Sequence, residues 1–351
     1  MTTSVVIPAF RAARHLPRCL AALAASTLPP GEVIVVDDGS TDGTRDLARS
    51  AGARVVTTPG GPVGPAAARN LGAAQARGDV LIFVDADVAV HPETLGRLQA
   101  VLREHPDVAA VFGSYDDTPD HAGFVSQYRN LLHHFVHQQG RREASTFWAG
   151  CGAIRRRVFV EAGGFDERYR RPSIEDIELG GRLRAGGHRV WLRPEIQAVH
   201  LKPWTLRQTV RSDIVDRAIP WTRLILAQGQ LPSDLNTGMR SRLSAAAVWL
   251  AVAAVPVAMA WPPALGAAGA AGLALALLNA PLYRFFLRRR GARFALGAAA
   301  LHALYLLYSS AVFAGMSAAA RVSGTDREVQ PRTSGEQATT RGRSAGPEQA
   351  S

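Results

Sequence analysis

Two carboxylates at the end of one apolar run are the residues of this sequence best suited to chemistry. The run Val80–Val84 is followed closely by Asp85 and Asp87. A β-branched-rich apolar run predicts a buried strand, and both carboxylates should lie where that strand emerges, because buried charge is costly. Side chains two residues apart on an extended chain point the same way, so the two acids should converge. Paired hard oxygens favour Mg²⁺ or Mn²⁺, held together with substrate phosphates.

An alternative interpretation of these acids is an Asp-rich turn that caps a helix near Pro92. The surrounding elements favour the binding site. Apolar strand patterns cover 4–7, 32–36, 54–57 and 79–87, and helical patterns between them cover 14–26, 42–51 and 66–77. This alternation predicts βαβ units and a parallel sheet, and such sheets bind ligands at the carboxyl ends of their strands.

The next stretch of the chain shows weaker patterns of the same kind. We predict a helix over 92–104, strands over 108–115, 146–154 and 190–192, a loop over 163–166 and a helix over 175–185. The segment 116–142 is a partly helical insertion rich in His, Gln and Tyr. Insertions of this kind carry function more often than the elements that they connect, so we expect it to shape a substrate pocket.

Composition narrows the class of protein. The chain has 351 residues and 47% hydrophobic residues, enough for a sizeable core. Its 40 basic and 29 acidic residues leave a net charge of +11, and Lys202 is the only lysine. The basic charge is scattered and accompanies no recognition module, so a nucleic-acid binder is the least supported class. Two cysteines indicate a reducing compartment, and no signal peptide precedes the first strand, so we expect the N-terminal part to lie in the cytosol.

The C-terminal part differs sharply in character. Residues 243–283 contain no charged side chain and are divided by Trp261-Pro262-Pro263, whereas 284–293 hold five arginines. Residues 294–320 again lack Asp, Glu, Lys and Arg. These lengths predict transmembrane helices over about 243–261, 264–283 and 295–318, with buried helices of a soluble core as the alternative. We expect the polar segment 321–351 to be a disordered tail.

Short motifs of the N-terminal part together resemble a known family. In order, they are Val5-Val-Ile-Pro-Ala-Phe10, Val35-Val-Asp-Asp-Gly-Ser-Thr-Asp-Gly43, Ala68-Arg-Asn70, Gly78-Asp79, Phe83-Val-Asp-Ala-Asp87, Gly163-Gly-Phe-Asp166 and Glu175-Asp-Ile-Glu-Leu179. Up to about residue 202 the chain resembles glycosyltransferase family 2. The resemblance implies a GT-A fold, Rossmann-like with a mostly parallel sheet, followed by the C-terminal transmembrane α-helices of membrane-bound members. It also implies inverting, hexosyltransferase-type transfer from a nucleotide-diphosphate sugar.

The resemblance assigns the donor side of the site. It implies that Asp87 is the more direct metal ligand and that Asp85 contacts the ribose or the metal. Asp38 would contact the nucleobase with support from Asp37, although an Asx turn is the alternative for this pair. Arg69 would reach the base or the diphosphate, its alternative being a surface helix arginine. Pro8 and Phe10 line the same edge, where the family commonly has Tyr or Asn nearby, so stacking on a base survives here but a polar contact is in doubt.

The acceptor side follows from the later motifs. In the family, the Asp of the Glu-Asp pair is the general base, so the resemblance implies that Asp176 takes the acceptor proton and that Glu175 orients it or the acceptor. Glu178 is the second candidate, and the alternative for all three is an acidic first helical turn. A family histidine near His200 can complete the metal site or touch the diphosphate, whereas the alternative is a structural histidine. Gly150 and Cys151 would lie on the acceptor side. Cys151 has no His or Asp partner at motif spacing, so we do not expect a nucleophile.

Three histidines of the insertion invite a different interpretation. His133, His134 and His137 have helical spacing, but no Cys or acidic ligand accompanies them and no zinc-protease pattern is present. We therefore expect a pocket wall or a membrane-proximal surface instead of a metal centre.

These observations predict a membrane-bound, Mg²⁺- or Mn²⁺-dependent inverting glycosyltransferase of cell-envelope glycan biosynthesis. Its GT-A domain (1–202) would lie on the cytosolic side of the plasma membrane, with a nucleotide-diphosphate sugar as donor and a lipid-linked or membrane-proximal glycan as acceptor. A processive polysaccharide synthase is the first alternative, although Arg217-Ala-Ile-Pro-Trp221 only loosely echoes the signature of such synthases. The second alternative is a non-catalytic nucleotide-sugar-binding membrane module, against which the intact acids argue.

The charge pattern also predicts a topology. Arginine-rich short loops stay in the cytosol, so the first two spans should form a hairpin with Pro262 and Pro263 at its outer turn. The third span would then cross outward, with 294–320 lying against the hairpin as the alternative. Residues 203–235 combine Trp204 and Trp221 with several arginines, which predicts interfacial helices in contact with membrane lipids.

Overall fold

The computed structural model describes residues 1–228 and 238–323. Its N-terminal part is built on one sheet of eight strands in the order β3-β2-β1-β4-β7-β6-β8-β5. The strands are β1 (Thr3–Ala9), β2 (Glu32–Asp37), β3 (Arg54–Thr57), β4 (Val80–Val84), β5 (Val88–Val90), β6 (Val108–Tyr115), β7 (Cys151–Arg155) and β8 (Arg189–His200).

The sheet is mixed, with four parallel and three antiparallel strand pairs. The predicted sheet, mostly parallel, is found: β3, β2, β1 and β4 are parallel to one another, and β6 is parallel to β8. Strand β7 lies antiparallel between β4 and β6, and β5 is antiparallel to β8 at the edge. The direction of a strand depends on the neighbour that it pairs with, and an alternation of patterns does not reveal a distant neighbour.

Two later strands differ in length from the prediction. The strand predicted over 146–154 begins only at Cys151, and the strand predicted over 190–192 extends from Arg189 to His200. Pro194 lies within β8 and cannot donate a backbone hydrogen bond. The structure accommodates it where the pairing between β6 and β8 shifts register, between Phe112 and Ser114.

Seven helices cover the sheet. They are α1 (Leu16–Ala24), α2 (Thr44–Ser50), α3 (Pro65–Gln75), α4 (Thr94–Glu104), α5 (Phe124–Gln138), α6 (Arg156–Glu161) and α7 (Glu175–Ala185). Val5 and Val6 of β1 are both fully buried but belong to separate hydrophobic clusters on opposite faces. Burial on both faces explains why the first strands are continuous apolar runs instead of alternating ones.

Glycines allow the close packing of α3 beside the site. Gly64, which precedes α3, has φ +99°, and a Cβ there would lie 2.4 Å from the carbonyl oxygen of Arg170. A Cβ at Gly72 would lie 2.5 Å from Val6 Cγ1 and 2.8 Å from Val36 Cγ2. Only glycine lets α3 approach the sheet and the loop before α7 this closely.

The C-terminal part is helical throughout its described residues. It contains α8 (Leu206–Arg211), a π-helical segment (Ser212–Ala218), α9 (Ile219–Gln228), α10 (Met239–Val257), α11 (Ala264–Leu278) and α12 (Ala280–Ser323). Helix α12 is interrupted at Gly291, whose φ of 81° and ψ of 176° are not helical. Residues 229–235 of the predicted interfacial region and 324–351 of the predicted tail lie outside the described residues.

Within the described chain, α10 and α12 are long and apolar enough to cross a membrane. Only 17% of the apolar window of each is buried, whereas a core helix would be mostly buried, so the alternative of a soluble helical core loses support. The second predicted span, 264–283, is shorter than expected, because α11 has 15 residues and ends before Asn279.

The arginine-rich segment lies against the N-terminal domain. Arg289 forms an ion pair with Asp117 at 2.5 Å, and Arg290 Nε donates to Gln127 Oε1 at 2.7 Å. Beside these contacts, Phe286 of α12 and Leu131 of α5 share a buried hydrophobic cluster. Helix α5 therefore joins the sheet domain to the C-terminal helices.

Candidate active site

One cavity of about 1050 Å³ lies between the sheet domain and the C-terminal helices. Nine of the predicted site residues line it: Pro8, Phe10, Asp38, Arg69, Asp85, Asp87, Glu175, Asp176 and His200. The other three, Asp37, Gly150 and Cys151, are not among its lining residues. The fold thus gathers the ends of β1, β2 and β4 with the start of α7, as expected for the carboxyl edge of such a sheet.

The acid pair lies in a turn directly after β4. Asp85 N donates to the carbonyl oxygen of Gly150 at 3.3 Å, and Leu201 N donates to the carbonyl oxygen of Asp87 at 2.8 Å. The turn is therefore held by the chain before β7 and by the end of β8. Asp85 and Asp87 keep 33% and 25% of their side chains exposed, so both can meet a ligand in the cavity.

The two acids differ in their electrostatic surroundings. Burial raises the pKa of Asp85, although the adjacent Arg69 guanidinium opposes this effect. Burial acts on Asp87 too, but the His200 imidazole and the Lys202 ammonium outweigh it and lower the pKa of Asp87 to about 2. Asp87 is therefore ionised at neutral pH and carries the more available negative charge.

The donor set around Asp87 fits a hard divalent ion. His200 Nε2 lies 3.8 Å from Asp87 Oδ2, and the His200 ring stacks on Tyr115 with a centroid distance of 4.5 Å. Within residues 1–228 and 238–323, no group of three His, Cys, Asp or Glu side chains could hold a metal by itself. One or two carboxylates with a neighbouring imidazole fit Mg²⁺ or Mn²⁺ whose remaining positions are filled by water and substrate phosphates.

Arg69 is buried, so the alternative of a surface helix arginine is wrong. Its two terminal nitrogens contact Asp85 at 2.7 Å and Glu175 at 2.8 Å. Its Nε is buried without a hydrogen-bond partner in the described structure, and the guanidinium lies 5.4 Å from the centre of the Phe165 ring. Arg69 therefore bridges the acid turn after β4 to the start of α7.

Asp176 lies at the start of α7 with its carboxylate in the cavity wall. Its Oδ2 accepts a hydrogen bond from Ala149 N at 3.2 Å, and its Oδ1 accepts one from Ile177 N at 2.8 Å. Burial and then the neighbouring Glu175 charge raise the pKa of Asp176 to about 7, against the opposing effect of Arg69. A carboxylate with such a pKa can take up a proton near neutral pH, which is the property of a general base.

The other two acids of α7 are already paired within the protein. Glu175 is buried and accepts from Arg69 Nη1 and from Ser173 N, at 2.8 Å each. Glu178 accepts from Arg182 at 2.6 and 2.8 Å and does not line the cavity. Asp176 is thus the acid of this helix with the most freedom to meet an acceptor.

The acids after β2 organise a loop. Asp38 accepts hydrogen bonds from Thr58 Oγ1 at 2.8 Å, from Val63 N at 2.9 Å and from Gly64 N at 2.9 Å. Because a carboxylate has about four acceptor positions, little capacity is left for a nucleobase. Asp37 is fully buried and forms an ion pair with Arg45 at 2.8 Å.

An aromatic ring is exposed at the end of β1. Phe10 is 48% exposed and lines the cavity beside Pro8. The following residue, Arg11, has φ +49°, which is uncommon for a residue other than glycine. An exposed ring on a constrained turn offers a surface on which a base can stack.

Gly150 and Cys151 do not lie where the sequence analysis expected them. Cys151 is fully buried as the first residue of β7, and burial raises the pKa of its thiol to about 12. The Trp148 ring packs over Gly150, so closely that a Cβ there would lie 2.6 Å from the ring. Trp148 lines the cavity instead of these two residues, because β7 starts deeper in the sheet than its pattern indicated.

The histidines of α5 form part of the cavity wall. His133 and His137 line the cavity, whereas His134 Nδ1 lies 2.8 Å from the carbonyl oxygen of Tyr115. Burial lowers the pKa of His133 and lowers that of His137 to about 4, so both rings are neutral at physiological pH. With Trp148 they make an aromatic surface, as the expectation of a pocket wall required.

Part of the region predicted to lie along a membrane surface also lines the cavity. Arg217, Trp221 and Ile225 line it, as does Arg129 of α5. Sequence reasoning missed these residues as site residues, because no local motif marks them. The one available signal that Arg217 and Trp221 belong to the site was their weak similarity to the signature of polysaccharide synthases.

Comparison with known proteins shows which family the N-terminal part is similar to. A family profile described as glycosyl transferase family 2 matches residues 4–163. The chain is 32% identical over 224 residues to validoxylamine A glucosyltransferase of Streptomyces hygroscopicus subsp. jinggangensis, covering 52% of this chain and 51% of that protein. It is 37% identical over 100 residues to glycosyltransferase AglE of Haloferax volcanii, covering 27% and 33%. The chain thus spans about half the length of the first relative and a third of the second.

Solved structures show the same fold. The mannosyltransferase PcManGT of Pyrobaculum calidifontis, in complex with GDP-Man and Mn²⁺, matches with a TM-score of 0.53, 21% identity and coverage of 86% of both chains. S. aureus TarS 1-349 in complex with UDP-GlcNAc matches with a TM-score of 0.50, 20% identity and coverage of 64% and 65%. The predicted GT-A fold is confirmed.

Proposed function

We propose that the chain transfers a sugar from a nucleotide-diphosphate sugar to an acceptor hydroxyl with inversion. The match of residues 4–163 to the glycosyl transferase family 2 profile supports this proposal. The acceptor is lipid-linked or lies next to a membrane. Similarity to other glycosyltransferases supports the class of reaction, and the donor class is supported by GDP-Man and UDP-GlcNAc in the complexes of the two structural neighbours.

One observation carries this proposal: the acids of two separate motifs line the same cavity. Asp85 and Asp87 follow β4 and Asp176 lies at the start of α7, and Arg69 joins these two segments through Asp85 and Glu175. An inverting transfer needs a base separate from the groups that hold the diphosphate, because the base must act on the face of the sugar opposite the leaving diphosphate. A module that only bound nucleotide sugars would have no use for a carboxylate whose pKa is raised to about 7.

The proposed reaction is a single displacement at the anomeric carbon. The acceptor oxygen forms a bond to the anomeric carbon while its proton passes to an Asp176 carboxylate oxygen. The bond between the anomeric carbon and the diphosphate oxygen breaks, and its electron pair leaves with the nucleoside diphosphate. Asp176 then releases the proton to solvent, which a pKa of about 7 permits at neutral pH.

On the donor side, Phe10 would stack on the nucleobase and Asp38 would hold the loop around it. Asp87, with His200 and Asp85, would hold Mg²⁺ or Mn²⁺, and the Mn²⁺ in the PcManGT complex supports this assignment. When bound, such an ion would neutralise the charge that develops on the leaving diphosphate.

The C-terminal helices would anchor the enzyme in the plasma membrane. Helices α10 and α12 have the length and composition of spans, and Arg289 and Arg290 contact the sheet domain. An arginine-rich segment on the cytosolic side would therefore keep the whole N-terminal domain in the cytosol, where nucleotide sugars are made.

A donor screen tests the proposal. Thermal shift of the purified chain with Mn²⁺ should show selective stabilisation by one class among UDP-, GDP- and dTDP-sugars. The Asp87→Asn variant should keep its fold, lose the Mn²⁺-dependent part of the shift and lose most transfer, since an amide does not carry the charge that holds the ion. A metal-independent shift that is equal in both proteins would contradict the metal assignment.

A further inference from the structure

The cavity continues beyond the acids into the C-terminal helices. Its far end is lined by apolar side chains of α9, α10 and α12, including Ile225, Ala245, Leu306 and Phe313. Trp221 also lines this part. The phosphates and hydroxyls of a sugar nucleotide gain nothing from an apolar lining, so this end of the cavity suits a ligand with an apolar part.

Four residues that line the cavity each carry a buried hydrogen-bond donor without a partner in the described structure. They are Tyr128 OH, Arg129 Nη2, Trp204 Nε1 and Thr209 Oγ1, and none has a hydrogen-bond partner within the part of the chain that the structure describes. Buried polar groups in folded proteins are almost always paired. Four unpaired donors on one cavity indicate a ligand with several acceptor oxygens.

The charge in this region is positive. Arg129 forms an ion pair with Asp213 at 2.9 Å and lies 4.0 Å from the centre of the Trp204 ring, but Tyr308 OH also donates to Asp213 at 2.7 Å. Arg217 lines the cavity and forms no ion pair with any carboxylate of the described residues. Its charge helps to lower the pKa of Arg129, after the effect of burial, so the two guanidinium groups lie close together.

We propose that this part of the cavity binds a long-chain phosphate ester, with its phosphate at Arg129 and Arg217 and its chain along Ile225, Ala245, Leu306 and Phe313. This inference rests on the proposed function, because it makes the ester the acceptor and directs its hydroxylated head group towards Asp176. Guanidinium groups bind phosphate oxygens in a bidentate manner, and the remaining donors complete the same set of contacts.

The donor diphosphate does not account for this region equally well. The donor has its own polar partners beside Asp87, where His200 and Lys202 line the cavity. A nucleoside diphosphate also offers no apolar chain for the far end of the cavity. An amphiphile satisfies both the unpaired donors and the apolar lining.

Direct binding of decyl phosphate, measured without sugar nucleotide, tests the phosphate contact. Trp148, Trp204 and Trp221 line the cavity, so their fluorescence should report the titration. Arg217→Gln should weaken binding at least tenfold, and Arg217→Lys should restore part of it. The matched control is Arg223→Gln, an exposed arginine of α9 outside the cavity, which should bind as the wild type does. Equal losses in Arg217→Gln and Arg223→Gln would overturn the site.

A second pair of variants tests the apolar half of the proposed site. Ala245 lines the cavity, whereas Ala246 is exposed and does not. Ala245→Trp should weaken decyl phosphate at least tenfold and Ala246→Trp should not. Methyl phosphate and decanol should both bind far more weakly than decyl phosphate. If methyl phosphate binds equally well, the site is for soluble phosphates, and if decanol does, the phosphate is not recognised; either result overturns the proposal.

Nucleotide binding separates this inference from the proposed function. The affinity for the donor found in the screen should be unchanged in Arg217→Gln, and a tenfold loss there would reassign Arg217 to the donor. Decyl phosphate binding by a chain that binds no sugar nucleotide would support the lipid site while removing the transferase proposal.

Discussion

At the scale of single residues, the carboxylates of the site differ in pKa because their surroundings differ. Asp87 is kept ionised beside His200 and Lys202, whereas burial and Glu175 hold the pKa of Asp176 at about 7. Pairs of acids whose surroundings push their pKa values apart are typical of sites with separate acid–base and charge-binding roles. The same side chain thus serves as a candidate ion ligand in one place and a candidate base in the other.

Asp176→Asn should lower kcat by about a hundredfold to ten-thousandfold with donor affinity unchanged, because an amide cannot take the acceptor proton. Steady-state kinetics and donor titration would measure the two quantities. Glu178→Gln is the matched control, since Glu178 pairs with Arg182 outside the cavity, and it should retain near-normal kcat.

Stability provides a check that the Asp176→Asn variant is folded. A raised pKa means that the native state holds a proton that the unfolded chain has released, so stability falls as pH rises from the unfolded value of 3.8 towards 7. The variant should therefore melt above wild type at pH 8.5, and the difference should shrink as pH falls and vanish below the unfolded pKa of 3.8. Collapse of donor affinity in this variant would make Asp176 a binding residue.

The pH dependence of transfer follows from the same group. Below a pKa of about 7 Asp176 is protonated and cannot act as a base, so kcat/KM should rise with pH and level off above about 7. Initial rates between pH 5.5 and 9, at saturating divalent ion, would give the profile. The residual activity of Asp176→Asn should lack this rise, and a profile that is flat in the wild type would contradict the assignment.

At the scale of elements, Arg69 of α3 joins two parts of the sheet edge that are distant in sequence. Its ion pairs reach Asp85 after β4 and Glu175 at the start of α7, and the pair with Glu175 is almost fully buried. The bridge therefore sets the distance between the proposed ion site and the proposed base. This role depends on α3 lying close to the sheet, which Gly64 and Gly72 allow.

Arg69→Gln should destabilise the fold by about 3–5 kcal/mol, because it leaves the buried Glu175 charge without a partner. Chemical denaturation would measure this loss. The double variant Arg69→Gln with Glu175→Gln should recover part of the stability without recovering activity. If the double variant is no more stable than the single one, the unpaired Glu175 charge is not the cause of the destabilisation.

At the scale of the whole molecule, the C-terminal helices complete the cavity as well as providing candidate spans. The π-helical segment contacts both parts: Ser173 Oγ donates to the carbonyl oxygen of Asp216 at 2.6 Å, and Tyr308 of α12 donates to Asp213. Anchoring and acceptor binding would therefore be properties of the same helices.

Cysteine labelling in intact cells tests the topology. A cysteine replacing Arg288 should be inaccessible to an impermeant reagent, and one replacing Pro262 should be labelled, since the predicted hairpin would place these positions on opposite sides of the membrane. Background should be low because both native cysteines are buried. Labelling at position 288 from outside would reverse the orientation.

The sequence predicted the positions of most elements well because their patterns are local. Strands 4–7, 32–36, 54–57 and 108–115 and helix 175–185 were found within one or two residues at each end. The errors concern β7 and β8, whose limits depend on partners, and the span 264–283, in which Asn279 separates α11 from α12.

By itself, the sequence indicated the resemblance of the N-terminal part to one family and the candidate acids, because each motif is a short run whose residue types are constrained by one strand end or one helix start. Only the tertiary structure decided that Arg69 bridges two of these motifs, that Cys151 lies behind Trp148, and that Arg129 and Arg217 line the same cavity as Asp176. These relations arise from contacts between distant segments, and a side chain's environment is set by whichever segments the fold packs around it.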